Sequence, residues 1–202
     1  MSAILSIGTS NGVFVLGETP GEWKLLGQGL TGRTITCLQP GGSGKLWVGT
    51  DKTGLHYTSD METWSPAVNE LSGLGVYSLV FHPKQSKVML CGTAPASLHL
   101  SLDGGKKFQE LPALKQHPSA SNWSYPEPPY RSRLHRLFLH PTDLDVVCAA
   151  VISGGFYLSG DVGQSWHERS KGLGRLVHDL AGPPRLPGRL YACSPLGFDL
   201  TA

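Results

Sequence analysis

The feature that most constrains this chain is a short motif that returns along its length. Ser159-Gly160-Asp161-Val162-Gly163-Gln164-Ser165-Trp166 reads S-x-D-x-G-x-x-W, and the stretch from Ser101 through Asp103 and Gly105 to Phe108 reads the same with Phe for Trp. Thr58-Ser59-Asp60-Met61-Glu62-Thr63-Trp64 is a shortened copy, one residue tighter between Asp and Trp. Glu18 to Trp23 is a decayed copy, with Glu in place of Asp and Pro20 in place of Gly. The aromatic ends fall at Trp23, Trp64, Phe108 and Trp166, at intervals of 41, 44 and 58 residues. An insertion near 115–132 accounts for the long last interval. Self-similarity at such a period marks a repeated unit that buries its apolar faces only against its neighbours.

Other features recur in phase. A glycine and a short apolar strand precede the motif at Gly12-Val13-Phe14-Val15, Gly54-Leu55-His56-Tyr57 and Gly155-Phe156-Tyr157-Leu158, whereas the third copy has Pro95 to Leu98. Before that lie strands ending in small residues, Leu46 to Thr50, Met89 to Thr93 and Val146 to Ala150. Earlier still come alternating strands closed by proline, Thr34 to Pro40, Val76 to Pro83 and Leu134 to Pro141. Each repeat is therefore four strands, with the motif as the tight turn between the last two. Its logic is local. A carboxylate accepts backbone N–H groups of its own turn, glycine supplies a positive φ, and the ring covers the turn. For Asp60, Asp103 and Asp161, with Ser59, Ser101, Ser159, Gly105, Gly163, Trp64, Phe108 and Trp166, this predicts a structural role.

Four-stranded units of this length predict an all-β fold, a β-propeller of four-stranded antiparallel blades. The blades fall at about 3–27, 33–68, 76–114, 133–170 and, in part, 176–202, in one domain. Composition agrees: Gly (26) and Pro (15) make up about a fifth of the chain, well above ordinary usage. Ala3 to Thr9 matches the second strand of later repeats. The chain is thus expected to hold about four blades and most of a fifth. Gene truncation is expected over closure by assembly with another copy, although unclosed blade edges invite self-association. A net charge of +2 argues against nucleic acid as a partner, and no apolar run suggests a membrane. The N-terminus lacks a signal-peptide pattern, so a cytoplasmic protein is expected. Cys37, Cys91, Cys148 and Cys193 sit singly in apolar runs, which predicts buried reduced thiols and no metal; no cofactor is expected.

With these motifs the chain resembles the Asp-box, or BNR-repeat, β-propellers. That superfamily includes sialidases, other glycoside hydrolases, sortilin-type receptor domains and photosystem assembly factors. A closer resemblance covers nearly the whole chain. Trp123 to Arg136 looks like the W-x-F-P-x-x-P-x-T-S-H-V-R stretch of bacterial BNR-repeat proteins labelled glycosyl hydrolase by propeller similarity. Val177-His178-Asp179-Leu180 and Leu190-Tyr191-Ala192-Cys193 match that group's D-V-H-D-L and L-Y-A-A-T segments. Arg131 and Arg133 stand where the group tends to have Thr and His.

The 115–132 insertion carries Trp123, Tyr125 and Tyr130 among prolines, beside Arg131, Arg133, His135 and Arg136. Two readings stand. Its aromatic and arginine side chains suit a protein, peptide or glycan on the propeller face; or they pack a long loop, with the arginines solvated. Alternation along the strand places Arg133 and His135 on one side and Leu134 and Arg136 on the other. A sialidase-like site needs three arginines from different blades, and the arginines here cluster at 131–136 and 169–189. Glycoside hydrolysis needs two facing carboxylates. Glu62, Glu70, Glu110, Glu127, Asp143 and Asp145 occupy loop-like positions, and Asp179 is the one weak catalytic candidate. His82 and His140, each before proline, are expected to form turns, and Gly41 to Lys45 a hairpin. The reading is a non-catalytic binding or scaffold module, with a glycoside hydrolase as the alternative.

Overall fold

The computed structural model describes residues 3–67, 70–125, 128, 130–183, 189–195 and 197–201. Glu127 and Ala202 lie outside the described residues, as does the middle of the 169–189 arginine segment. The described residues form five antiparallel sheets and no α-helix. β1 (Ile4–Thr9), β2 (Gly12–Thr19) and β3 (Glu22–Gly29) make a three-stranded sheet. The second sheet is β4 (Ile35–Pro40), β5 (Leu46–Thr50), β6 (Leu55–Thr58) and β7 (Ser65–Pro66). The third is β8 (Gly75–Phe81), β9 (Met89–Ala94), β10 (Leu98–Ser101) and β11 (Gln109–Leu111). The fourth is β12 (Leu134–Leu139), β13 (Val147–Val151), β14 (Gly155–Ser159) and β15 (His167–Glu168). The fifth is β16 (Asp179–Ala181), β17 (Leu190–Ser194) and β18 (Gly197–Thr201). Strand order within each sheet follows the chain, as hairpin-linked meanders require.

The chain divides into two compact units, residues 1–76 and 77–202. In the first, Val13 and Val15 of β2 pack on Leu46 and Val48 of β5, with Trp64 and Met61 against them. In the second, the fourth sheet is covered on both faces. Val147, Ala149 and Val151 of β13 join Leu90, Leu98 and Leu111 of the third sheet, while Cys148 and Ala150 join Val177, Leu180 and Ala192. Period-two alternation thus points apolar residues both ways, which is why this strand reads as an unbroken apolar run. Burial on this scale stabilises by about 25 cal/mol per Å² of apolar surface. Cys91 and Cys148 are buried as expected, and burial pushes the Cys148 thiol up to about 12. Cys37 and Cys193 are only half-buried.

The recurrent turns are built alike. Asp103 Oδ1 accepts the N–H groups of Lys106 (2.9 Å) and Lys107 (3.0 Å) and the Ser101 hydroxyl (2.9 Å). Asp161 Oδ1 accepts the Ser165 N–H (2.8 Å) and the Ser159 hydroxyl (2.7 Å), and Ser159 Oγ accepts the Gly163 N–H (2.8 Å). Asp60 Oδ1 accepts Glu62 and Thr63 N–H groups at 2.9 and 2.7 Å. These donors hold all three carboxyls below their usual range. The longer copies place two consecutive residues at positive φ, Gly104 with Gly105 and Val162 with Gly163; the short copy has Met61 alone. Losing one left-handed residue is how the shortened turn still closes.

One expectation is corrected. The hydroxyl facing Asp60 belongs to Thr58 (2.9 Å), not Ser59, because the residue two before the carboxylate is the one that points back into the turn. The stretch from Glu18 to Trp23, at the place of the decayed copy, closes without a carboxylate in the turn. Thr19 pairs with Glu22 across Pro20-Gly21, with Gly21 at φ 85°, a two-residue hairpin turn. The Glu18 carboxylate instead accepts the Ala3 N–H of the neighbouring strand, and Trp23 is exposed.

Candidate functional site

The insertion is anchored rather than loose. Pro118–Asn122 forms a 3-10 turn, preceded by His117, whose Nδ1 lies 3.2 Å from the Ser119 N–H. Trp123 Nε1 donates to the Tyr157 hydroxyl at 2.8 Å, and Ser119 Oγ lies 2.6 Å from the same oxygen. An indole nitrogen only donates, so the Tyr157 oxygen accepts there and sends its own proton to the Gly154 carbonyl at 3.0 Å. The Tyr157 ring meets Trp123 and His117 edge-on, with centroids 5.4 and 5.1 Å apart. Trp123 therefore serves packing, and its ring is committed to the fourth sheet.

The other aromatic of the insertion behaves differently. The guanidinium carbon of Arg133 lies 3.9 Å from the centroid of Tyr125 and 4.7 Å from that of Tyr77, at the start of β8. Among the described residues no hydrogen bond or ion pair engages the Arg133 guanidinium. A guanidinium lying over rings keeps its five in-plane N–H donors for something else. Tyr125 N–H donates to the Tyr130 carbonyl at 3.2 Å, and Tyr130 sits at φ 57° with its side chain exposed. Arg131 is exposed.

A β-bulge corrects the alternation expected along β12. The register slips between Leu134 and Arg136, which pair with consecutive residues Val151 and Ala150. Leu134 and Leu137 consequently share one core, and Arg136 leaves Leu134's face. Arg136 Nε meets Asp179 Oδ1 at 2.6 Å, and both side chains are partly exposed. Asp179 also accepts the N–H of Leu180 at 2.8 Å. His135, the extra residue of the bulge, is half-buried. Burial lowers its pKa first; Arg136, His178 and Arg133 lower it further, and Asp179 opposes them. The structure thus brings Tyr125, Arg133, His135 and Arg136 to one end of β12, with Asp179 and His178 beside them. Trp123, Tyr130 and Arg131 stand apart from that group.

The sequence reading missed Tyr77 and Tyr157. It also missed that Tyr157, His56 and His99 occupy one repeat position, each two residues before the turn hydroxyl of Ser159, Thr58 and Ser101. Counting back from the hydroxyls would have found them. His56 Nε2 lies 2.7 Å from Arg33 Nη1, and burial followed by the Arg33 charge lowers the His56 pKa to about 4. His82 and His140 accept N–H groups two and three residues on, as turn formers do. Glu110 binds Ser97 and Lys115. No group of metal-ligating side chains occurs among the described residues.

No family model matches the chain. A probable oligoxyloglucan-reducing end-specific xyloglucanase of Neosartorya fischeri is 28% identical over 96 residues, spanning 45% of this chain and 12% of the relative. Solved structures match along almost all of it. An ancestral GH74 enzyme aligns over 94% of this chain and 25% of its own, with TM-score 0.68 and 16% identity. The extracellular domain of a putative one-component system from B. thetaiotaomicron aligns over 98% and 26%, with TM-score 0.71 and 14% identity. YCF48 bound to D1 peptide aligns over 98% and 59%, with TM-score 0.68 and 16% identity. These neighbours are β-propeller proteins. The strand architecture of this chain is β-propeller-like. At these identities the propeller likeness concerns fold, and the chain spans about a quarter of two of these neighbours and 59% of the third.

Proposed function

We propose that this chain is a non-catalytic binding module of the Asp-box β-propeller type, and that its ligand presents an anionic group to Arg133. The observation that carries this reading is the Arg133 guanidinium held over Tyr77 and Tyr125 with its N–H edges unspent. Ordering a long cationic side chain costs entropy that here has been met before any ligand arrives. Carboxylate turns at Asp60, Asp103 and Asp161 act as Asp boxes, closing blades of about the lengths given by the repeat. The ligand is a protein, peptide or glycan on the propeller face, reached in the cytoplasm. A peptide-bound neighbour and propellers of the COPII coat support a protein or peptide. Pairing through edge strands offers a second route, self-association. The test is to probe a peptide library and a glycan array with wild type and Arg133→Ala. Ligands lost only with Arg133→Ala are expected; identical binding by both proteins overturns the reading.

The second reading is a glycoside hydrolase, and the stretch shared with a xyloglucanase is what favours it. It would draw on Asp179 and a second carboxylate. Assay on xyloglucan oligosaccharides and aryl glycosides tests it, and absence of turnover removes it.

A further inference from the structure

We propose that Tyr157 is a positioning residue for the Arg133 site: its hydroxyl latches the insertion so that Tyr125 comes to rest over the Arg133 guanidinium. The consequence for ligand binding rests on the reading above, but the latch itself is testable without a ligand.

The loop bearing Tyr125 is tied at both ends. Its later end is Arg133, whose carbonyl accepts the Ile152 N–H at 3.0 Å where β12 begins. Its earlier end is Trp123, only two residues before Tyr125, and Trp123 is fixed by its bond to Tyr157. Between them the Tyr125 N–H donates to the Tyr130 carbonyl. Apolar packing alone would hold the Trp123 ring near the fourth sheet, since a methyl on Gly154 would meet Trp123 Cδ1 at 2.9 Å. Packing is non-directional, however, and tolerates a rotated or slid indole. A hydroxyl that accepts Trp123, contacts Ser119 and donates to Gly154 admits one arrangement, and leaving any of these groups unpaired while buried is costly. Tyr157 is fully buried, so water cannot substitute for its partners.

The first unit repeats the device with other side chains. His56 stands two residues before Thr58, as Tyr157 stands two before Ser159. It holds Arg33, which lies just before β4, at 2.7 Å. In both units a buried polar residue on the third strand of a sheet grips the segment that enters the first strand of that sheet.

The experiment uses the full chain labelled with nitrogen-15, observing the Arg133 Nε–H resonance, assigned by its loss in Arg133→Lys. Protons stacked over aromatic rings are displaced from their ordinary position, and Tyr125→Ala gives the position with that ring gone. In Tyr157→Phe the resonance is expected to move toward the Tyr125→Ala position while the protein remains folded. A folded Tyr157→Phe with an unmoved Arg133 resonance overturns the proposal. Should that variant not fold, Ser119→Ala removes one bond of the latch from a half-buried residue. It is then expected to give a smaller displacement in the same direction, and none would overturn the proposal. Titrating wild type with sodium acetate and inorganic phosphate separates the two ideas. If neither anion moves the resonance while Tyr157→Phe does, the latch stands and the anionic-ligand reading falls.

Discussion

The indole of Trp64 rests on Gly29 so closely that a methyl group on Gly29 would come within 2.0 Å of the ring nitrogen. Trp64 ends the turn of the second sheet and Gly29 ends β3, so the contact joins two repeats. Gly29→Ala sets two effects against each other. Restricting the unfolded chain stabilises by about 0.4–1 kcal/mol where the backbone tolerates it. Overpacking against a ring whose neighbours are Val13, Val15 and Leu46 costs about 1–3 kcal/mol. The clash wins, and urea denaturation is expected to find Gly29→Ala less stable by roughly 1–2 kcal/mol, with altered tryptophan emission. A neutral or stabilising result would show that Trp64 moves freely.

The turn hydroxyls give a sharper comparison. Thr58, Ser101 and Ser159 are buried, each bonded to a carboxylate and to a backbone N–H. Replacing any of them with Ala leaves a buried N–H unpaired and should cost about 1–2 kcal/mol. Ser59→Ala, one residue from Thr58 and exposed, should fall within about 0.5 kcal/mol of wild type. Chemical denaturation of the four variants decides whether the hydroxyl or mere proximity to Asp60 matters.

This comparison also shows what was legible in the sequence. The spacing of Asp103, Asp161 and their aromatic partners located the turns, because a turn is a local object whose residues lie within eight positions of one another. The Ser59 assignment failed because it followed residue type, the nearest serine, where the S-x-D spacing already put Thr58 in the hydroxyl position. At Glu18 to Trp23 the sequence did not show how the turn is closed. A Pro-Gly pair can make its own tight turn, and periodicity alone does not separate that from a decayed carboxylate turn. The cluster at Arg133 was half visible. Arg133, Tyr125 and His135 are close in sequence, but Tyr77 reaches them from β8, and no local pattern encodes that distance. The bulge at His135 was invisible, since one extra residue leaves no mark on an alternating sequence that already mixes Leu and Arg.

Acidification should weaken the fold in a defined window. Burial and Arg33 together lower the His56 pKa from 6.5 to about 4. Between those values the unfolded chain binds a proton that the folded chain refuses, so stability rises with pH there. The contribution of neutral His56 is complete above about 6.5, declines as pH falls toward about 4, and is exhausted below that. His99 and His135 are also shifted down by burial and act in the same direction. Melting temperature followed across this range is expected to fall on acidification, and His56→Gln should flatten the descent. A melting temperature that holds constant through the window would mean that His56 stays solvated enough to protonate in place.

Asp179 separates binding from catalysis. Its carboxylate meets Arg136 at 2.6 Å, but both side chains are partly exposed, so solvent screens the pair and its loss should cost less than about 1 kcal/mol. The charge matters more for the ligand. Asp179→Asn releases Arg136 and removes a negative charge that acts on His135, leaving the end of β12 more positive. For an anionic ligand identified through Arg133, affinity should then rise by about 2–5-fold, the equivalent of roughly 0.5–1 kcal/mol. The gain should fade in high salt as the charges are screened. A general acid or nucleophile would behave otherwise, since Asp179→Asn would abolish turnover without tightening binding. Titration calorimetry of wild type and Asp179→Asn at low and high salt distinguishes these outcomes. Weaker binding by Asp179→Asn would mean that the carboxylate touches the ligand directly, which would move the site from Arg133 toward β16.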